Sequence, residues 1–193
     1  MTSTRRSLIA ATIIVFTIFT DWITKQWALS ALSDGHRIPL LPTLEFDLLF
    51  NNGFSFGTGE GRGRLIGIGV IGMVVYLAVQ LHRATIVHRV VFFSIILGGA
   101  IGNLLDRIFR ADDGFLTGSV VDFIDVSWFA VFNVADIYVV CGAIAFGLWE
   151  TLINPQLDAP EQPADERDPT AATELDTTPD PILDTDDHSA LQE

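Results

Sequence analysis

Leu8-Ile-Ala-Ala-Thr-Ile-Ile-Val-Phe-Thr-Ile-Phe-Thr20 runs without a charge into Asp21-Trp-Ile-Thr-Lys25, and Trp27-Ala-Leu-Ser-Ala-Leu32 resumes the apolar pattern. An α-helix rises about 1.5 Å per residue, so a helix over about residues 8–30 is long enough for the ~30 Å hydrocarbon core of a bilayer. Arg5 and Arg6 before it, and small residues near Ser30 to Ser33, are also features of a cleavable signal peptide. The run is too long for that, and three more apolar runs follow: Leu65 to Leu81, Val90 to Leu105 and Trp128 to Trp149. They predict helices over about 65–81, 88–107 and 128–150. The fold expected is an all-α membrane protein with four transmembrane helices.

Four spans leave both ends of the chain on one side. Arg5 and Arg6 flank the first helix, and Arg83 and Arg89 crowd the short link between the second and third. That density of positive charge assigns these ends to the cytoplasm, N-terminus and C-terminus inside. The long connections 31–64 and 106–127 then face outward. In the first, Leu44-Glu-Phe-Asp-Leu48 alternates apolar and polar residues with the period of a half-buried strand. Pro39, Pro42, Gly53, Gly57, Gly59, Gly61 and Gly63 punctuate its surroundings as turns. A small extended or β element and a loop are expected on the outer membrane surface.

The formal net charge of −13 is unevenly distributed. From Asn154 onward twelve Asp and Glu face the single Arg167, a net of −11, which leaves −2 for residues 1–153. The segment 154–193 is rich in proline and has no aromatic residue, so it cannot bury enough apolar surface to offset its ordering entropy. It is read as an acidic, disordered cytoplasmic tail, and 1–153 as the folded domain. The single cysteine, Cys141, lies in an apolar run and allows no internal disulfide. The histidines, His36, His82, His88 and His188, are scattered, so no metal site and no cofactor are expected. No basic stripe suggests nucleic acid.

The unusual feature is acid at membrane depth. Asp21, Asp106, Asp122, Asp125 and Asp136 lie in or beside apolar stretches. An ionised side chain there costs at least ~2.5–3.5 kcal/mol, so such residues have a partner or a function. Asp21 and Lys25 are spaced i, i+4 and can neutralise each other on one helix face. In Gly98-Gly-Ala-Ile-Gly-Asn-Leu-Leu-Asp-Arg107 the residues Asn103, Asp106 and Arg107 share a face, while Gly98, Gly99 and Gly102 permit close helix approach. Val120-Val-Asp-Phe123 and Phe132-Asn-Val-Ala-Asp136 place two acids 14 residues apart. On one straight helix that is ~21 Å, so they meet only if the chain reverses around Asp125 to Ala130. Two carboxyls sharing a site do not both ionise easily, and such a pair can activate water and polarise a carbonyl. Asp125 is a rival for Asp122, although Asp122 follows an apolar pair and is better placed to point inward. Asn51-Asn-Gly53 reads as a tight turn or as a substrate contact through Asn51 and the Gly53 backbone.

Taken in order, Asp-x-x-Thr-Lys at 21–25, Asn-x-Gly at 51–53, Gly-Gly-Ala-x-Gly-Asn-x-x-Asp-Arg at 98–107, Val-Val-Asp-Phe at 120–123 and Phe-Asn-x-Ala-Asp at 132–136 resemble lipoprotein signal peptidase, also called signal peptidase II. The resemblance covers about residues 8–150. It implies an aspartic endopeptidase of the bacterial inner membrane, with its active site toward the outer face. Such an enzyme removes the signal peptide from prolipoproteins, cutting before a cysteine that carries diacylglycerol. By motif, Asp122 and Asp136 are the catalytic pair, Asn51, Gly53, Asn103, Arg107 and Asn133 line the substrate site, and Asp21, Lys25 and Asp106 support it. The partners implied are the lipidated substrate, membrane lipid and cyclic-peptide inhibitors of the globomycin type, and the enzyme is expected to be a monomer. Phe54 and Ser55 after Asn-x-Gly, Ala130 and Val131 before Phe-Asn, and a short connection between the two aspartates depart from the family pattern. Two other readings use the same acids: a small proton-coupled transporter or channel, and a non-catalytic membrane scaffold.

Overall fold

Thr2 starts the first helix, its hydroxyl accepting the Arg5 amide at 3.4 Å as an N-cap. The computed structural model describes residues 2–52, 63–111 and 114–153. Gly53, Phe54 and Ser55, and the tail assigned to 154–193, lie outside the described residues. The elements are α1 (Ser3–Ala31), β1 (Ile38–Leu41), β2 (Leu44–Asn51), α2 (Gly63–Arg83), α3 (Val87–Phe109), β3 (Val120–Val126) and α4 (Val134–Leu148), which ends in a π-helical turn over Trp149–Ile153.

All four helices are long and apolar enough to cross a membrane. Their outward faces are apolar: Leu8, Val15, Phe16 and Phe19 on α1, Leu65, Met73 and Tyr76 on α2, and Val140, Ile144 and Leu148 on α4 are exposed. In water such faces would drive association; in lipid they are the solvated surface. The core instead forms around α3, which packs against the other three helices and buries Val90, Ser94, Ile96, Leu97 and Ala100. Its glycines set the spacing. A Cβ on Gly99 would lie 2.6 Å from the Ala135 carbonyl, and one on Gly98 would collide with the Thr17 side chain. Close backbone approach thus replaces the hydrophobic effect as the means of helix association.

The helices run longer than their apolar runs by a few residues, with one exception. The fourth was expected from residue 128 and begins at Val134. Phe132 bridges back to Ile124, and Asn133 caps the helix, so backbone amides that could have joined a helical turn are committed elsewhere. Likewise the connection 106–127 is not only loop. α3 continues to Phe109, and Val120–Val126 is a strand.

That strand completes a three-stranded antiparallel sheet of order β1-β2-β3. Trp27 of α1 packs edge-on against Phe46 and Phe123, with ring centroids 5.0 and 6.0 Å apart, and Ala28 and Leu32 join them. The sheet is thereby anchored to the end of α1. Its register decides the site. Leu44, Glu45 and Phe46 pair with Val126, Asp125 and Ile124, but Leu49, Phe50 and Asn51 pair with Asp122, Val121 and Val120, one residue out of step. The bulge lies at Asp47-Leu48. Side chains alternate faces along a strand, so a slip of one residue turns every later side chain over. The bulge therefore puts Asn51 on the same face as Asp122.

Candidate active site

Asp122 and Asp125 are three apart on β3 and so point to opposite faces of the sheet. Asp122 is 1% exposed; Asp125 is half-buried opposite Glu45, on the face where Arg37 ion-pairs with Glu45 at 2.8 Å. After β3 the chain reverses at Ser127 to Ala130, where the Phe129 amide donates to Val126 O at 2.7 Å and the Ser127 amide to Thr43 O at 3.1 Å. The amides of Ile124 and Phe132 then donate to each other's carbonyls at 2.9 and 3.1 Å, which delivers the chain to the start of α4 beside Asp122.

Asn133 joins the two acids. It is fully buried, and its side-chain amide donates to Asp122 Oδ1 at 2.7 Å and to Asn103 Oδ1 at 3.1 Å. Its own Oδ1 accepts the Asp136 backbone amide at 3.1 Å, and its backbone amide donates to Asp136 Oδ2 at 3.2 Å. This is a capping box, in which Asp136 also faces the positive end of the α4 dipole. The remaining oxygens are held too: Asn51 Nδ2 donates to Asp122 Oδ2 at 2.9 Å, and Asn103 Nδ2 to Asp136 Oδ1 at 2.8 Å. Burial pushes the Asp122 carboxyl up to about 7, against the pull of the Asn51 hydrogen bond, and the charge of Asp136 adds to the rise. Asp122 therefore carries a proton for much of the time at neutral pH.

Beneath the acids lies a buried ion cluster. Lys25, 2% exposed, reaches Asp21 Oδ2 and Asp106 Oδ2, both at 2.8 Å, and donates to Asn103 Oδ1 at 3.0 Å. Asp21 Oδ1 accepts the Ala135 amide at 3.0 Å, and Asp106 Oδ2 accepts the Val121 amide at 3.3 Å. α1, α3, α4 and β3 are thus tied through one charged node. Arg107 is buried within electrostatic reach of Asp122, Asp106 and Asp136. Of the residues singled out in the sequence, Asp21, Lys25, Asn51, Asn103, Asp106, Asp122, Asn133 and Asp136 form one hydrogen-bonded network with Arg107 alongside. Gly53 lies outside the described residues. Sequence reasoning missed Arg110, whose Nε meets Asp106 Oδ1 at 2.8 Å; its i, i+4 spacing was the available signal. The Ala135 and Val121 amides left no signal at all.

Gly102 completes the packing, because a Cβ there would fall 2.6 Å from Asp21 Oδ2. Gly102→Ala is expected to push Asp21 off Lys25 and to destabilise the bundle by about 1–3 kcal/mol, the usual cost of overpacking. Thermal unfolding in detergent measures this, and an unchanged midpoint would count against the close approach.

Comparison with known proteins agrees with this architecture. The chain is similar to two bacterial membrane enzymes solved by the in meso method. One, at 2.3 Å resolution, has a TM-score of 0.64 and 26% identity, covering 79% of this chain and 93% of that one. The other, at 1.9 Å, has a TM-score of 0.61 and 26% identity, covering 74% and 92%. The fold is that of a multi-pass membrane enzyme. Residues 13–152 match the family model described as signal peptidase (SPase) II. Lipoprotein signal peptidase of Bifidobacterium adolescentis is 40% identical over 141 residues, covering 72% of this chain and 74% of the relative. That of Mycobacterium avium is 39% identical over 137 residues, covering 70% and 72%. The chain belongs to the signal peptidase II family, and is a peptidase of the bacterial membrane.

Proposed function

We propose that this peptidase removes the signal peptide from diacylglyceryl-modified prolipoproteins, hydrolysing the bond before the lipidated cysteine by aspartic catalysis at Asp122 and Asp136. The observation that carries the reading is the shared Asn133, which holds the buried Asp122 carboxyl of β3 and the half-buried Asp136 carboxyl of α4 in one hydrogen-bonded unit. The names of the relatives support the substrate class. Positive-charge density supports cytoplasmic termini and a site at the outer face of the inner membrane. The gathering of Asp21, Asp106, Asp122 and Asp136 into one network supports a single site over a relay of acids spread across the bilayer, as a proton-coupled transporter would need. The peptidase is proposed to act as a monomer, since the hydrogen-bonded network among the described residues closes within one bundle.

In this mechanism the substrate's signal helix enters from the bilayer and its backbone extends across the pair. Asn51, Asn103 and Arg107, with Gly53, hold that backbone while Asn133, fully buried, keeps the two acids together, and the Asn51 amide yields Asp122 Oδ2 to the scissile carbonyl. Asp136, ionised, takes a proton from water while the hydroxide adds to the carbonyl carbon. Asp122 donates its proton to the carbonyl oxygen, giving a gem-diol. The C–N bond then breaks as Asp136 passes its proton to the leaving nitrogen and the gem-diol returns one to Asp122. Correct orientation alone can supply several kcal/mol of barrier reduction, out of ~7–11 at best. Asp21, Lys25 and Asp106 hold the pair from below. Globomycin-type cyclic peptides would occupy the same site.

Cleavage of a synthetic diacylglyceryl prolipoprotein by the purified chain, with the new N-terminus read by mass spectrometry, tests the reading. A product that does not begin at the lipidated cysteine would overturn it. The pH profile has a definite sign. A proton on Asp122 is required and leaves near pH 7, so kcat/KM should fall about tenfold per unit above that. Activity that keeps rising through pH 9 would remove Asp122 from the acid role.

A further inference from the structure

A second feature, near the C-terminal ends of α1 and α3, shares Asp106 with the network above but opens elsewhere. Trp22, Gln26, Leu105, Asp106, Phe109 and Arg110 line a half-open cavity of about 430 Å³ between α1 and α3. Leu105 and Phe109 lie about 200–240° around α3 from Asn103, so this groove opens away from the paired acids. Its walls are apolar and exposed, with Trp22 55% and Phe109 80% accessible. Its upper end is polar. Arg110 spends its Nε on Asp106, and its side chain stays 27% exposed. Gln26 is half-buried on the facing helix.

We propose that this groove holds a glycerophospholipid of the outer leaflet, its phosphate on the Arg110 guanidinium and the Gln26 amide and one acyl chain along Trp22, Leu105 and Phe109. Three observations select that occupant. The groove lies on the lipid-facing side of two transmembrane helices. A cavity of a few hundred Å³ suits an acyl segment and is too small for a second helix. A guanidinium with further N–H donors beyond its Asp106 bond is matched by a phosphate, whose oxygens accept it bidentately. The diacylglyceryl group of a prolipoprotein has no phosphate and gains nothing from that charge.

The position also connects the lipid to the site. Arg110 Nε meets Asp106 Oδ1 at 2.8 Å, Asp106 Oδ2 meets Lys25 at 2.8 Å, Lys25 meets Asn103 at 3.0 Å, and Asn103 meets Asp136 at 2.8 Å. A phosphate drawing on Arg110 therefore acts on the second cation that balances Asp106, and through it on the buried cluster.

Native mass spectrometry of the full-length protein, titrated with dioleoyl phosphatidylglycerol and separately with dioleoylglycerol, tests this without reference to cleavage. Wild type is expected to retain one phosphatidylglycerol at least about tenfold more tightly than the diglyceride. Arg110→Gln should erase that preference while leaving diglyceride binding unchanged, and Arg110→Lys should restore part of it. Gln26→Leu, which leaves Asp106 and its ion pairs intact, should weaken phosphatidylglycerol several-fold and keeps the test open if Arg110→Gln does not fold. Equal retention of the two lipids by wild type would overturn the proposal. So would a phosphatidylglycerol preference that survives both variants, or one lost in Arg83→Gln at the opposite end of the bundle instead.

Discussion

Asp122→Asn and Asp136→Asn, each expressed to the wild-type level, are expected to lose prolipoprotein cleavage by roughly 10⁴-fold, the upper range for removing a general acid or base. Asparagine keeps the size of the side chain and can still meet Asn133, so the bundle should fold. It can neither take a proton from water nor give one to a carbonyl. The two acids act as one unit, so the double variant should be hardly worse than the poorer single one. Asp125→Asn is the informative control. Its side chain leaves the opposite face of β3, beside Glu45, and its loss should change turnover by less than about twofold if the strand geometry is right. Appreciable cleavage by either Asp122→Asn or Asp136→Asn, measured on a diacylglyceryl substrate, would remove that residue from the pair.

Lys25→Met should have the largest effect on stability. The ammonium is buried and meets Asp21, Asp106 and Asn103 at once. Methionine fills the space but takes from Asp21 and Asp106 the ammonium that each meets at 2.8 Å. Breaking a buried ion pair by removing one partner costs about 3–5 kcal/mol, because the charge left behind is neither solvated nor paired. A fall in the thermal midpoint should accompany loss of turnover, since Asn103 would no longer be held against Asp136. Lys25→Arg should not rescue it: a planar guanidinium cannot place one nitrogen at the centre of three acceptors as an ammonium does. An unchanged midpoint in Lys25→Met would mean the cluster contributes nothing to holding the helices together.

Much of this protein can be read from the chain alone. Four apolar runs near bilayer length dictate four spans, because backbone amides in lipid must be satisfied within each segment. The i, i+4 spacing of Asp21 and Lys25, and the shared face of Asn103, Asp106 and Arg107, follow from helical pitch and needed no coordinates. The need for a reversal between Asp122 and Asp136 followed from arithmetic on rise per residue, and the turn at Ser127 to Ala130 meets it.

The tertiary structure decided what those rules cannot reach. Local pattern places Val120–Val126 within a loop, since a strand is stable only against a partner, and β2 lies some 70 residues away. The apolar run places Phe132 and Asn133 in a helix, since nothing local reveals that Ile124 will claim the one and Asp122 the other. The bulge at Asp47-Leu48 turns Asn51 toward Asp122, and the two-residue period that makes one slip so consequential cannot say where the slip occurs. Local periodicity determines which side chains share a face of one element. Which faces then meet depends on contacts between segments far apart in the chain, and only the folded bundle contains them.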